Sequence, residues 1–314
     1  MRFDFDDINL IPKKCVVGSR SECDTSLTFG GHTFKLPIVP ANMECVLDVE
    51  LSRKLAENGY FYILHRFYED QVILSFINNM NKDGLITSIS LGVNQDSYEL
   101  VDKIKNYELN VDFITIDIAH GHSVKMEKML KHVKDKLPNT FVIAGNISTV
   151  QAVTELTDWG ADALKVGIGP GSACTTFPTT GFGSRNCQAS VIFDCSQVSD
   201  VPIIADGGIK CPADIAKSIV LGATMVMVGG MLFGYNDSPG NIVEINGELF
   251  KEFWGSASAH QSGKNSRIEG KKTLVNYKDK TLLDEYIYLT ECLQSSISYG
   301  GGNKLTDLDN VNWF

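Results

Sequence analysis

The feature that most constrains this chain is a repeat: apolar, strand-like runs alternate with polar segments of helical spacing between residues 37 and 230. The runs are residues 37–43 (PIVPANM), 60–65 (YFYILH), 86–93 (ITSISLGV), 113–120 (FITIDIAH), 141–147 (FVIAGNI), 163–169 (ALKVGIG), 202–208 (PIIADGG) and 224–230 (TMVMVGG), eight in all. Helical spacing fills 46–58, 98–106, 124–136, 150–159 and 212–221, and Gly59, Gly160 and Gly222 stand where a left-handed cap would close three of these helices. Strands that are apolar on both faces belong to a parallel sheet covered by helices. Eight such units in 314 residues predict one α/β domain over residues 1–314, a closed (β/α)8 TIM barrel. A doubly wound open sheet would carry GxGxxG after an early strand, and none does. Two additions are expected: a hairpin at 26–36, turning at Gly30-Gly31, and a lid at 231–280, irregular and rich in Gly, Ser and charge. A last helical stretch covers 282–293.

Barrels carry their chemistry at the C-terminal ends of the strands. Those ends read Asn42-Met43, His65-Arg66, Asp117 to Gly121, Gly145-Asn146, Asp206-Gly207-Gly208 and Gly229-Gly230. The two glycine pairs follow the last two runs, where barrels commonly bind phosphate through backbone amides. The connection after residue 169 is unusually long and opens with GPGSACTT, a glycine-rich loop around Cys174. Such a loop can hold a nucleophilic thiol still; equally, it can be a turn with a bystander cysteine. The 8 cysteines include no CxxC pair, which removes the usual zinc spacing. A formal charge of −10 argues against a nucleic-acid partner. The chain begins with no apolar leader and contains no long apolar run, so a cytoplasmic protein that does not span a membrane is expected.

In this order, GIGPGSACTT, IIADGG, MVMVGGM, FWGSAS, IEGKK and LQSSISYGGGNKL resemble the inosine-monophosphate dehydrogenase and guanosine-monophosphate reductase family over nearly the whole chain. The reductase branch is favoured because the chain has no room for the regulatory insertion common among the dehydrogenases, and its lid lacks their water-activating Arg-Tyr pair. The resemblance implies NADPH-dependent reductive deamination of GMP to IMP and ammonia through a purine thioimidate on Cys174, with Thr176 and Glu269 managing the proton. It also implies that Asp206 binds the ribose hydroxyls and that Gly207, Gly208, Gly229 and Gly230 surround the phosphate. Gly255, Ser256, Ala257, Arg267 and Gly270 would border the base. The cofactor would meet Ser19, Arg20, Arg66, Asp117, Ile118, Ala119, Ile168 and Gly169, with Ser295, Ser296, Ile297 and Ser298 reaching a neighbouring subunit of a homotetramer. Carbonyls of Gly169, Gly171 and Cys174 are candidate K⁺ ligands. Three alternatives stay open: an IMP dehydrogenase core, a reductase for a related purine or deoxynucleotide, and a nucleotide-binding protein without turnover. One departure is plain: Phe177-Pro178-Thr179-Thr180 is uncharged where the family usually carries basic residues.

Overall fold

The computed structural model describes residues 2–256, 258, 261 and 269–314. The expected hairpin is present: β1 (Leu27–Phe29) pairs antiparallel with β2 (His32–Phe34), Leu27 opposite Phe34. Gly30 holds a φ of +57°, and a Cβ there would come within 2.3 Å of the Phe113 ring, so the turn lies directly on an aromatic side chain.

Seven parallel strands follow: β3 (Ile38–Pro40), β4 (Ser88–Leu91), β5 (Phe113–Asp117), β6 (Phe141–Ile147), β7 (Ala163–Val166), β8 (Ile203–Asp206) and β9 (Met225–Val228). Their order, β3-β9-β8-β7-β6-β5-β4, is that of a barrel in which the first strand meets the last. One of the eight predicted strands, 60–65, is not a strand here. It lies along the outer edge of β4 through a single parallel bridge, Leu64 to Ile89. Side-chain bonds take over the ladder beside that bridge. The Tyr62 hydroxyl donates to the Ile86 carbonyl at 2.7 Å and accepts from the Ser88 amide at 3.2 Å.

Helices fill the connections: α1 (Val49–Glu57), α2 (Asp70–Lys82), α3 (Gln95–Asn106), α4 (Val124–Lys136), α5 (Val150–Asp158), α6 (Thr176–Thr180), α7 (Gln188–Ser196), α8 (Pro212–Val220) and α9 (Leu282–Tyr299). In α4 the rule that forms them is clear. Met126, Met129, Leu130 and Val133 recur at helical spacing and are buried, and the Ser123 side chain accepts from the Met126 amide at the N-terminus. Gly59, Gly160 and Gly222 adopt the expected positive φ after α1, α5 and α8. Helix α7 occupies much of the connection expected to be one long loop, and α9 runs six residues past its predicted end at 293. The lid likewise contains regular structure: β10 (Ile242–Ile245), β11 (Glu248–Trp254) and β12 (Lys272–Asn276) form an antiparallel sheet.

The barrel interior is packed around Val39, Phe61, Ile63, Phe113, Ile143, Ala163, Ile204 and Met225, with Phe29 and Phe34 of the hairpin in the same cluster. Most of these residues lie in the N-terminal halves of their strands, so the hairpin plugs that end. The opposite, C-terminal end is left to polar groups.

Candidate active site

A cavity of about 1380 Å³ opens over the C-terminal ends of the strands. It exceeds the roughly 300–1,000 Å³ of an ordinary single-ligand site and has room for two ligands side by side. Its floor is charged. Lys165, on β7, has a side chain only 2% exposed, and its ammonium lies 3.0 Å from Asp117 at the end of β5. The same ammonium also contacts Asp206 at the end of β8. Asn42 donates to Asp117 at 3.0 Å, while Asn146 donates to Asp206 at 2.8 Å and to the Gly167 carbonyl at 2.6 Å.

Burial alone would raise the Asp117 carboxyl, but Lys165, Arg66 and the Asn42 hydrogen bond together hold it below the usual carboxylate range. Burial would in turn lower the Lys165 ammonium; Asp117 and Asp206 reverse that and keep it firmly charged.

The loop after β7 bends sharply at Gly167, whose φ is +148°. A Cβ there would sit 2.0 Å from the Asp206 carbonyl oxygen, so glycine alone lets the ends of β7 and β8 lie this close. The buried Gln188 amide of α7 ties both ends together, donating to the carbonyls of Val166 at 2.9 Å and Asp206 at 3.2 Å.

Beyond this bend the loop carries Cys174. The segment around it pairs with the chain leaving the lid. The Thr175 amide donates to the Glu269 carbonyl at 2.8 Å, the Lys271 amide donates to the Ala173 carbonyl at 3.0 Å, and Cys174 is bridged to Gly270. This pairing sets three side chains in a row. The Cys174 thiol donates to Thr176 Oγ1 at 3.2 Å, and the Thr176 hydroxyl donates to Glu269 Oε2 at 2.5 Å. Thr176 is 8% exposed, which limits competition from water. The arrangement connects a nucleophile to a carboxylate through one hydroxyl, a path along which a proton can be taken from sulfur and later returned to a leaving group. Burial pushes Cys45 and Cys195 up to about 12, so they remain protonated and act as packing groups.

The structure gathers most of the predicted residues around this cavity. Cys174, Thr176, Glu269, Asp206, Gly207, Gly208, Gly229, Gly230, Gly255 and Ser256 line it, as do Arg66, Asp117, Ile118, Ala119, Gly169 and Gly171. Gly270 is the bridge partner of Cys174, and the amide of Ile168 donates to Ser184 at 3.2 Å. Ala257 and Arg267 lie outside the described residues.

A second group does not line the cavity. Arg20 donates to Ser295 at 3.2 Å and sits over the Tyr299 ring. Ser19 caps the turn that carries Arg20, Ser298 approaches the Cys15 sulfur at 3.2 Å, and Ile297 is buried in the main core. Ser295 and Ser296 border a separate apolar groove of about 410 Å³. Sequence reasoning missed Lys165 and Gln188, and it marked Asn42 and Asn146 only as strand-end residues without assigning them a role. For Lys165 the signal available was a lysine inside an otherwise apolar run.

A nucleotide cofactor fits the donor set. Asn146 Oδ1 is buried with no hydrogen-bond partner among the described residues and offers an acceptor beside the cavity, and Arg66, also lining it, supplies a cation. No group of three or more His, Cys, Asp or Glu among the described residues could hold a metal ion. An alkali cation would use neutral carbonyls instead, and the Gly171 carbonyl already accepts from the Cys174 amide at 3.1 Å, keeping a second lone pair for it. No described helix is long and apolar enough to cross a membrane.

Comparison with known proteins gives a consistent result. The family model "IMP dehydrogenase / GMP reductase domain" matches residues 2–314. The chain is similar to the GMP reductase of Lysinibacillus sphaericus (strain C3-41), 52% identical over 311 residues, covering 99% of this chain and 94% of that protein. It is equally similar to the GMP reductase of Bacillus subtilis (strain 168), 52% identical over 311 residues with 99% and 95% covered. The Clostridium acetobutylicum GMP reductase is 51% identical over 311 residues, with 99% and 94% covered.

Proposed function

The chain belongs to the IMP dehydrogenase / GMP reductase family, and we propose that it is a GMP reductase, converting GMP to IMP and ammonia with NADPH as reductant. The hydrogen-bonded row Cys174–Thr176–Glu269 carries this reading. Glu269, through Thr176, takes the thiol proton, and the Cys174 sulfur forms a bond to C2 of the purine. The C2–N bond then breaks, and the proton held on the Thr176–Glu269 pair goes to the departing ammonia, which is a poor leaving group without it. The purine is left as a thioimidate on Cys174. When bound, NADPH supplies the hydride that reduces C2. The C–S bond then breaks, and Cys174 returns as the thiolate.

In this proposal Asp206 accepts from the ribose hydroxyls, and the amides of Gly207, Gly208, Gly229 and Gly230 surround the phosphate. Gly255, Ser256, Ala257, Arg267 and Gly270 border the base. Arg66, Asp117, Ile118, Ala119, Ile168 and Gly169 meet the cofactor. Ser19, Arg20 and Ser295 to Ser298, which do not line the cavity, also serve a cofactor, the last four that of a neighbouring subunit in a cytoplasmic homotetramer. K⁺ would be held by the carbonyls of Gly169, Gly171 and Cys174.

The experiment follows NADPH absorbance with purified protein and GMP, beside wells with dGMP and with IMP plus NAD⁺. Oxidation with GMP that vanishes in Cys174→Ala is the expected result. A response only with dGMP moves the substrate, a response only with IMP and NAD⁺ makes the chain an IMP dehydrogenase core whose thioimidate is resolved by water, and silence in every well with folded protein leaves a nucleotide-binding protein. Repeating the GMP well with K⁺ replaced by Na⁺, and measuring sedimentation of the same sample, tests the cation and the tetramer.

A further inference from the structure

We infer that Lys165 is a positioning residue shared by the two halves of the site, one ammonium holding the cofactor-side carboxylate of Asp117 and the ribose-side carboxylate of Asp206 in register. The inference rests on the proposed roles of those two aspartates and assigns to Lys165 a coupling that neither role contains.

The geometry points there from several directions. Asp117 and Asp206 stand at the ends of β5 and β8, which are separated in the sheet by β6 and β7. Neither carboxylate pairs with the other's strand. Their connection runs through one side chain, projected from β7 and nearly sealed from solvent. The lysine and Asn146 both use Oδ2 of Asp206, and no described residue bonds to its Oδ1, which stays open to a ligand hydroxyl. Asp117 is held at Oδ1 by the lysine and at Oδ2 by Asn42. Asp117 is therefore held at both oxygens, whereas on Asp206 the ammonium and a strand-end asparagine converge on the same oxygen.

A backbone rule fixes the lysine in turn. A Cβ at Gly145 would come 2.6 Å from Lys165 Cβ, so the glycine on β6 makes room for this side chain. A buried lysine with two acidic partners could serve folding alone. What separates the two roles is reciprocity. If one ammonium is shared, removing either carboxylate leaves it wholly to the other and competes with that one's ligand, so a change on the cofactor side is felt on the ribose side.

The test measures kcat and both KM values for wild type, Lys165→Met, Lys165→Arg, Asp117→Asn and Asp206→Asn, with circular dichroism to verify folding. Lys165→Met is expected to raise KM for GMP and for NADPH about tenfold or more while kcat falls less. Lys165→Arg, which keeps a charge able to bridge two carboxylates, should recover much of the loss. Asp117→Asn is expected to raise KM for GMP severalfold, and Asp206→Asn to raise KM for NADPH. A folded Lys165→Met enzyme with either KM within twofold of wild type overturns the inference, and so do aspartate variants that each affect only their own ligand. If Lys165→Met does not fold, the two aspartate cross-effects decide. Should Asp206→Asn leave KM for GMP unchanged, the ribose assignment itself fails, whatever Lys165 does.

Discussion

At the residue scale, the chemistry depends on a hydroxyl standing between a thiol and a carboxylate. Replacing Thr176 with Val keeps the shape and removes the link that the 3.2 Å and 2.5 Å hydrogen bonds make. General acid–base groups contribute typically about 10²–10⁴ in rate, so kcat for GMP reduction should fall by roughly 10²–10³, with both KM values little changed. Glu269→Gln should cost a similar factor, and the double variant should be no worse than the poorer single, because a relay fails as a unit. Steady-state kinetics on the three proteins check this; a strictly multiplicative double variant would mean that the two residues act separately. Part of this constellation is visible in the bare sequence, because a cysteine in GPGSACTT and an aspartate before two glycines are unusual local patterns. Lys165 was not visible, since its partners lie on two other strands and a lysine within an apolar run looks like a mere interruption. Asn42 and Asn146 fall at strand ends that sequence could mark as functional, yet only the curl of the sheet aims them at Asp117 and Asp206.

At the element scale, periodicity located the strands and most helices, and it failed where side chains replaced backbone pairing. The segment 60–65 has the composition of a strand, but Tyr62 bonds to the chain at 86 and 88 and leaves one bridge. Helix α2 was overlooked although Ile73, Phe76, Ile77 and Met80 repeat at helical spacing. The lid strands pair only with one another, at exposed or half-buried positions for the most part, so their apolar signal is weak. The weakly paired segment ends at His65, which is buried, accepts from the Phe67 amide through Nδ1 at 3.2 Å, and stacks on Tyr68. Protonation at Nδ1 would remove that acceptor. Burial lowers this histidine to about 4, against 6.5 in an ordinary setting. Between those two values the unfolded chain binds the proton and the folded one does not, so stability is lost as pH falls from about 6.5 toward about 4. The linkage is worth about 3 kcal/mol once pH is below both values. Urea midpoints at pH 7.5 and 4.5 should therefore differ less in His65→Gln than in wild type. Equal differences in the two proteins would show that other groups carry the acid sensitivity.

At the scale of the whole molecule, the barrel separates what holds it together from what it does. The hairpin closes the N-terminal end with a group of aromatic rings: Phe29 meets Phe61 at 5.4 Å, Phe113 at 5.8 Å and Phe141 at 5.1 Å between centroids. The charged floor made by Asp117, Lys165 and Asp206 lies at the other end, beyond this packed interior layer. Truncating Phe29 to Ala removes a fully buried ring and leaves a void between β1 and the strands it caps, which costs about 3–5 kcal/mol. The site should not register that loss, because none of the rings lost as neighbours touches the cavity, and close-packed layers transmit a void mainly to adjacent side chains. The expected outcome is a clear fall in urea midpoint together with KM values for GMP and NADPH within twofold of wild type, measured at a temperature where the variant is folded. A comparable fall in midpoint accompanied by a large rise in either KM would mean that the plug helps set the positions of the strand ends. The barrel would then act as one mechanical unit, with its stabilising end and its chemical end linked through the strands themselves.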